Sequence, residues 1–214
     1  MSVVGIIAAG GSGERLGADR PKAFVVLAGR PMVGWSFEAL AAVCERVVVA
    51  APPGNEGSGP WALVTGGESR SASVRNAVLA APEASVYVVH DAARPLVTSD
   101  LVRRCIDALE PGVDGAIAAA RMTDTVKEAA PDGRVLHTLE RSSLWRIQTP
   151  QVFRAEVLRE ALDRDPAALA AATDDASLVE EIGGTVRVVE APPQNMKVTS
   201  ESDLRVAEAL LADS

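Results

Sequence analysis

Residues Ala8-Ala9-Gly10-Gly11-Ser12-Gly13-Glu14-Arg15-Leu16-Gly17 follow a short apolar run, and Pro21-Lys22 comes soon after. Glycines let a backbone turn tightly and bring several N–H donors close to one anion. Three chemistries use such a loop. A P-loop needs Gly-Lys followed by Ser or Thr at a helix start, and that triplet is absent here. A dinucleotide site would use Gly11, Gly13 and Gly17 with an acidic residue ending the second strand. Val49-Ala50-Ala51-Pro52 offers no carboxylate there. The third is a phosphate cradle in which Arg15 and Lys22 stabilise charge on a triphosphate. A plain turn with solvated charges competes with it.

The elements around this loop set its position. Val3 to Ala8 is apolar throughout, as a strand buried on both faces should be. Pro31 to Val43 has helical spacing with proline in the first turn. Val47–Ala50, Ala62–Thr65, Val86–Val89, Gly115–Ala119 and Val186–Val189 read as further strands. Helices are expected over Ser69–Ala80, from an N-cap at Ser99 to Leu109, near Ala155–Asp163, near Ala176–Ile182 and over Glu201–Leu211. Strand-helix alternation predicts an α/β fold: a Rossmann-like, mostly parallel sheet with helices on both faces. Open sheets of this kind bind ligands at strand carboxyl ends. Residues 122–145 break the alternation. Thr125-Val126-Lys127 and Val135 to Leu139 flank Pro131-Asp132-Gly133, which signals a β-hairpin projecting from the sheet. The Ala-rich stretch Pro166 to Ala172 reads as low complexity.

The 214 residues suit a single domain, 1–214, with a projecting arm at about 122–145. The formal net charge of -8 argues against a nucleic-acid polymer or an anionic membrane as partner. Phosphate chemistry would need a local cationic site. The apolar start is too short to span a membrane and lacks a preceding Lys or Arg. Cys44 and Cys105 lack metal-ligand spacing and read as buried free thiols. The expected location is the cytoplasm.

The loop with Pro21-Lys22 resembles the signature of sugar-phosphate nucleotidyltransferases, and more narrowly of 2-C-methyl-D-erythritol 4-phosphate cytidylyltransferases. The resemblance continues in Val89-His90-Asp91-Ala92-Ala93-Arg94-Pro95, Asp124-Thr125-Val126-Lys127, Glu140-Arg141 and Thr149-Pro150-Gln151. Thr173-Asp174-Asp175-Ala176-Ser177 and Asn195-Met196-Lys197-Val198-Thr199 complete the set in family order. Some members carry an aspartate where Gln194 stands here, so no metal role is carried over to that position.

The resemblance implies transfer of CMP from CTP to 2-C-methyl-D-erythritol 4-phosphate, with pyrophosphate leaving and Mg²⁺ assisting. It implies that Arg15, Lys22 and Lys197 are the catalytic cations. Ala8, Ala9, Gly10, Gly11, Ser12 and Gly13 would bind CTP with Gly67, Glu68 and Ser73, although Glu68 reads equally as a solvated turn residue. Thr125 and Arg141 on the arm, with Thr173, would contact the second substrate. Asp91, directly after a buried strand, is the expected Mg²⁺ ligand, with a turn cap as its structural alternative. His90 reads as a neutral histidine packed at a strand end. The implied assembly is a homodimer with shared active sites, the arm of one subunit reaching the other's cleft. Ribitol 5-phosphate cytidylyltransferases share these motifs and give the alternative substrate. A dinucleotide-dependent oxidoreductase lacks its acidic ribose ligand.

Overall fold

The structure, a computed structural model, describes residues 1–11, 13, 21–54 and 59–212. Its centre is a seven-stranded sheet. In chain order the strands are β1 (Val3–Ala8), β4 (Arg46–Ala51), β5 (Ala62–Thr65), β6 (Val86–Asp91), β7 (Gly115–Arg121), β10 (Trp145–Arg154) and β11 (Val186–Glu190). In space the order is β11-β7-β10-β6-β1-β4-β5. All pairings are parallel except the two made by β10. Short strands β2 (Val26–Leu27) and β3 (Arg30–Pro31) pair with each other, and so do β8 (Lys127–Ala129) and β9 (Val135–Thr138).

Helices cover both faces, as the alternation predicts. Alternate strand residues Val4, Ile6, Val48, Tyr87 and Val89 pack beneath α2 (Arg70–Leu79) and α4 (Ala155–Leu162). Their neighbours Val3, Ile7, Val47, Val49 and Val88 pack beneath α1 (Met32–Ala41) and α3 (Ser99–Asp107). The central strands thus bury both side-chain sets, and that burial requires their unbroken apolar runs. Cys44 and Cys105 are buried and unpaired, and burial pushes both thiols up to about 12. Each wall buries apolar surface at roughly 25 cal/mol per Å², which fixes where the strand ends lie.

Three local expectations change. The N-cap of α3 is Thr98, not Ser99; the Thr98 hydroxyl accepts from the Leu101 N–H. The Ala-rich stretch forms α5 (Pro166–Ala171), capped by Asp165 with proline in its first turn. A strand absent from the sequence reading, β10, runs through the middle of the sheet. Its Gln148, Thr149 and Gln151 are buried polar residues, and its Thr149–Pro150 peptide is cis. Pro150 falls where the pairing with β7 shifts register between Ile147 and Gln151. A residue without an N–H fits there, at a break in the ladder.

The arm leaves the sheet between β7 and β10, closed at its base by Met122 N–H donating to the Leu144 carbonyl. Gly133 turns the hairpin at φ 84°, in the left-handed region glycine favours. Every residue of β8 and β9 is exposed. The fold closes with α6 (Asp175–Glu181) and α7 (Glu201–Ala212). No helix among the described residues is long and apolar enough to cross a membrane.

Candidate active site

Parallel pairing brings the carboxyl ends of β1, β4, β5 and β6 to one edge. Ala8 stands opposite both Ala50 and Asp91, so the glycine loop and the turn that follows Asp91 leave the sheet side by side. Beyond the loop, Lys22 folds back, its N–H donating to the Gly11 carbonyl at 3.0 Å. A cavity of about 560 Å³ opens between them. Gly10, Gly11, Gly13 and Lys22 form one side, Gly67, Glu68 and Ser73 another, and Asp91 and Lys197 the floor. Ala8 lines it too, whereas Ala9 is buried beneath with its N–H on the Ala50 carbonyl. Ser12 and Arg15 lie outside the described residues.

Gly67 is at a close approach: a Cβ there would come within 2.5 Å of the Ala72 Cβ. Its N–H donates to the Ser73 hydroxyl at 3.0 Å, and that hydroxyl donates to the Ser69 carbonyl at 2.9 Å. Ser69 in turn caps α2. The Ser73 proton is committed, so its oxygen offers the cavity an acceptor.

The floor is a charge network. One Asp91 oxygen accepts from Arg70 Nε at 2.8 Å and the other from Lys197 Nζ at 2.7 Å. Arg70 Nη1 also donates at 2.6 Å to Asp175, which is fully buried. Burial opposes ionisation of Asp91, but the charges of Arg70 and then Lys197 outweigh it and hold the carboxyl well below the usual carboxylate range. Lys197 arrives from 106 residues away because its segment is tied down on both sides. Asn195 donates to the Gln148 side chain and the Thr149 carbonyl, Arg94 donates to the Asn195 carbonyl, and Val198 N–H donates to Ala93.

His90 is fully buried and has its protons assigned by its neighbours. Thr149 accepts from the Asp91 N–H, so its hydroxyl donates to His90 Nδ1, and Nε2–H then donates to the Arg94 carbonyl. Burial, the dominant effect, lowers its pKa to about 4. It is a neutral histidine packed at the strand end, as the sequence reading expects.

The family of 2-C-methyl-D-erythritol 4-phosphate cytidylyltransferases (IspD) matches residues 3–213. The chain belongs to this family. The relative from Rubrobacter xylanophilus is 43% identical, covering 98% of this chain and 94% of the relative. The one from Synechococcus sp. CC9902 is 40% identical, with coverage of 97% and 96%. Both carry the family's enzyme name. The crystal structure of the Thermus thermophilus cytidylyltransferase superposes with a TM-score of 0.85 at 33% identity, covering 99% of this chain and all of that one.

Within this IspD-family chain, the expected second-substrate residues do not meet. Thr173 lines a second cavity of about 440 Å³ beside the first, and Arg70 and Lys197 border both. Thr125 and Arg141 are exposed on the arm and line neither cavity, and Arg141 donates to the Thr123 carbonyl. Gln194 is exposed. Lys22, read as a loop cation, is only 9% exposed. The sequence reading missed Arg70 and Asp175 as site residues. Asp175 sits inside a motif it had noted, and Arg70 three residues beyond Gly67; a charged residue at each of those positions was the available signal.

Proposed function

We propose that the chain transfers CMP from CTP to 2-C-methyl-D-erythritol 4-phosphate at the cavity between the glycine loop and Asp91, releasing pyrophosphate. The observation that carries this reading is the convergence of the glycine loop, Lys22, Ser73, Asp91 and Lys197 on one cavity from five separate parts of the chain. Both reactants are polyanions, so the protein's work is positioning and charge neutralisation. Backbone N–H groups of Gly10, Gly11 and Gly13 cradle the triphosphate. Lys22 and Lys197 offset charge where the phosphate oxygen attacks the α-phosphorus. Ser73, offering an acceptor, suits the amino group of cytosine and disfavours the carbonyl of uracil.

Asp91 suits a hard divalent cation. Its carboxylate lines the cavity where the triphosphate would sit. A metal here would draw its other ligands from phosphates and water, as Mg²⁺ does. Mg²⁺ would supply neutralisation of the triphosphate. With both Asp91 oxygens paired to cations, a metal there would compete with Lys197 and would gain from the added negative charge of a bound nucleotide.

The arm supports a homodimer. Val135 is 54% exposed and Leu136 47%, on a two-stranded hairpin of a kind marginal in water without cover. Ile147, near the arm's base, is exposed as well. A second copy clasping this arm would bring Arg141 and Thr125 to the partner's cavity. The two buried free thiols and the lack of a long apolar helix among the described residues suit a reducing cytoplasm.

The test is pyrophosphate release with CTP and methylerythritol phosphate, run against ATP, GTP, UTP and ribitol 5-phosphate. Strong preference for CTP with methylerythritol phosphate is expected. Comparable turnover with a purine triphosphate overturns the nucleotide assignment, and preference for ribitol 5-phosphate overturns the acceptor. With Asp91→Asn, activity should fall and excess Mg²⁺ should restore it in part. An unchanged Mg²⁺ requirement would make Asp91 a cap rather than a ligand.

A further inference from the structure

The two cations on Asp91 differ in how they are held. The Lys197 side chain is 43% exposed and carries its charge on a flexible stem. The Arg70 side chain is 27% exposed and is gripped from behind by Asp175, which has no exposed side-chain surface. Arriving phosphates attract both cations. Lys197 can turn towards them, whereas Arg70 cannot follow without leaving a buried carboxylate unpaired, which is costly.

We propose that Asp175, acting through Arg70, is a positioning residue that keeps the Asp91 carboxylate aimed into the cavity once Lys197 turns to the substrate phosphates. The placement of Asp175 follows from the chain around it. Asp174 caps α6 by accepting from the Ser177 N–H, and Gln151 in β10 donates to the other Asp174 oxygen at 2.7 Å. Asp175 is thereby the first helical residue, turned into the protein and onto Arg70. It lines neither cavity and is fully buried, so it cannot touch substrate itself.

The contact also forgoes the bidentate geometry that an arginine and a carboxylate can adopt. Arg70 spends Nε on Asp91 and Nη1 on Asp175, and Arg70 Nη2 and Asp175 Oδ1 remain buried without a hydrogen-bond partner. A bidentate pair would tie both Asp175 oxygens to one edge of the guanidinium. This one instead stretches a single guanidinium between two carboxylates, which fixes the direction of Asp91.

The inference rests on Asp91 lying at the reacting centre, and a mutant cycle separates the two claims. The parent, Asp91→Asn, Asp175→Asn and the double variant are assayed for kcat and for KM of both substrates, after melting curves confirm that each is folded at the assay temperature. Asp175→Asn keeps the shape and removes the charge. It should lower kcat by about tenfold, the scale of coupling between residues of one network, and change the KM for CTP far less. In the Asp91→Asn background the same change should cost nothing further. A merely structural role would cost the same in both backgrounds, and that result overturns the proposal, as does an unchanged kcat in Asp175→Asn. Full activity in Asp91→Asn alone would instead remove Asp91 from the reacting centre, and the proposal with it. If Asp175→Asn does not fold, Arg70→Lys takes its place in the cycle. Lysine keeps the charge beside Asp175 but lacks the rigid planar fork that holds both carboxylates in fixed directions, so the same background-dependent loss is expected.

Discussion

At the end of β6, Asp91 is 8% exposed with both oxygens bonded to cations from other parts of the chain. On the arm, Val135 and Leu136 stand about half exposed, and the polar contacts there, such as Lys127 Nζ to the Thr138 hydroxyl, stay within the hairpin. The floor is completed by its own chain. The arm leaves apolar surface exposed, and its Thr125 and Arg141 line neither cavity of their own chain. Rigid placement of charge needs buried partners on several elements, and only the floor has them. In the proposed dimer the arm would take its partners from a second molecule, so changes to the two regions should fail differently: floor variants in chemistry, variants of the arm's apolar surface in assembly.

The largest effect belongs to Lys197→Ala. Its side chain is 43% exposed, so the fold should tolerate the loss, while kcat should fall by about a hundredfold, the cost of losing a charge-stabilising donor at a reacting phosphoryl group. Turnover near that of the parent would remove Lys197 from the floor's function. Lys22→Ala should lower both kcat and melting temperature, because that side chain is largely buried.

Next comes the acid response of the floor. His90 has a pKa near 4 in the folded protein against 6.5 ordinarily, so between those values the unfolded chain binds more protons. Stability is then fully present above pH 6.5 and is lost as pH falls towards 4. At pH 5 the loss from this residue is about 2 kcal/mol. Denaturant unfolding at pH 7.5 and pH 5 measures it. His90→Gln, whose amide can accept from Thr149 and donate to Arg94, should shrink the difference between the two pH values by that amount. A difference of the same size in the variant would assign the acid sensitivity elsewhere.

The smallest effect on folding is expected on the arm. Val135→Ser with Leu136→Ser should change the unfolding free energy of a single subunit by less than about 0.5 kcal/mol, as exposed positions do. The same pair should weaken self-association measurably by sedimentation. Loss of subunit stability with unchanged association would show the arm packing on its own domain.

The same contrast governs what was legible in sequence. The apolar runs of β1, β4 and β6 could be placed because both faces are buried, and Asp-Gly in the arm announced its turn. Lys22, Asp91 and Lys197 were found through motifs. The strand β10 was hidden because Pro150, Gln148, Thr149 and Gln151 give it neither an apolar run nor alternation; its polar side chains are satisfied by tertiary contacts with Asp174, Asn195 and His90. Arg70 and Asp175 were hidden for a related reason. Each reads as an ordinary charged residue in a first helical turn, and only the fold brings them together across 105 residues. Thr98 and Ser99 can both cap a helix, so the choice between them fell to the backbone.

Subunit exchange tests most directly whether the floor of one molecule works with the arm of another. Arg141→Ala and Lys197→Ala, each expected to keep at most about a hundredth of the parent activity alone, are mixed in equal amounts and allowed to exchange. With shared sites, every mixed dimer has one site lacking both residues and one lacking neither. Activity should return towards about a quarter of the parent value, since half the dimers are mixed and each has one intact site of two. Demonstrated exchange without any return of activity, or a monomer under assay conditions, would contradict the account.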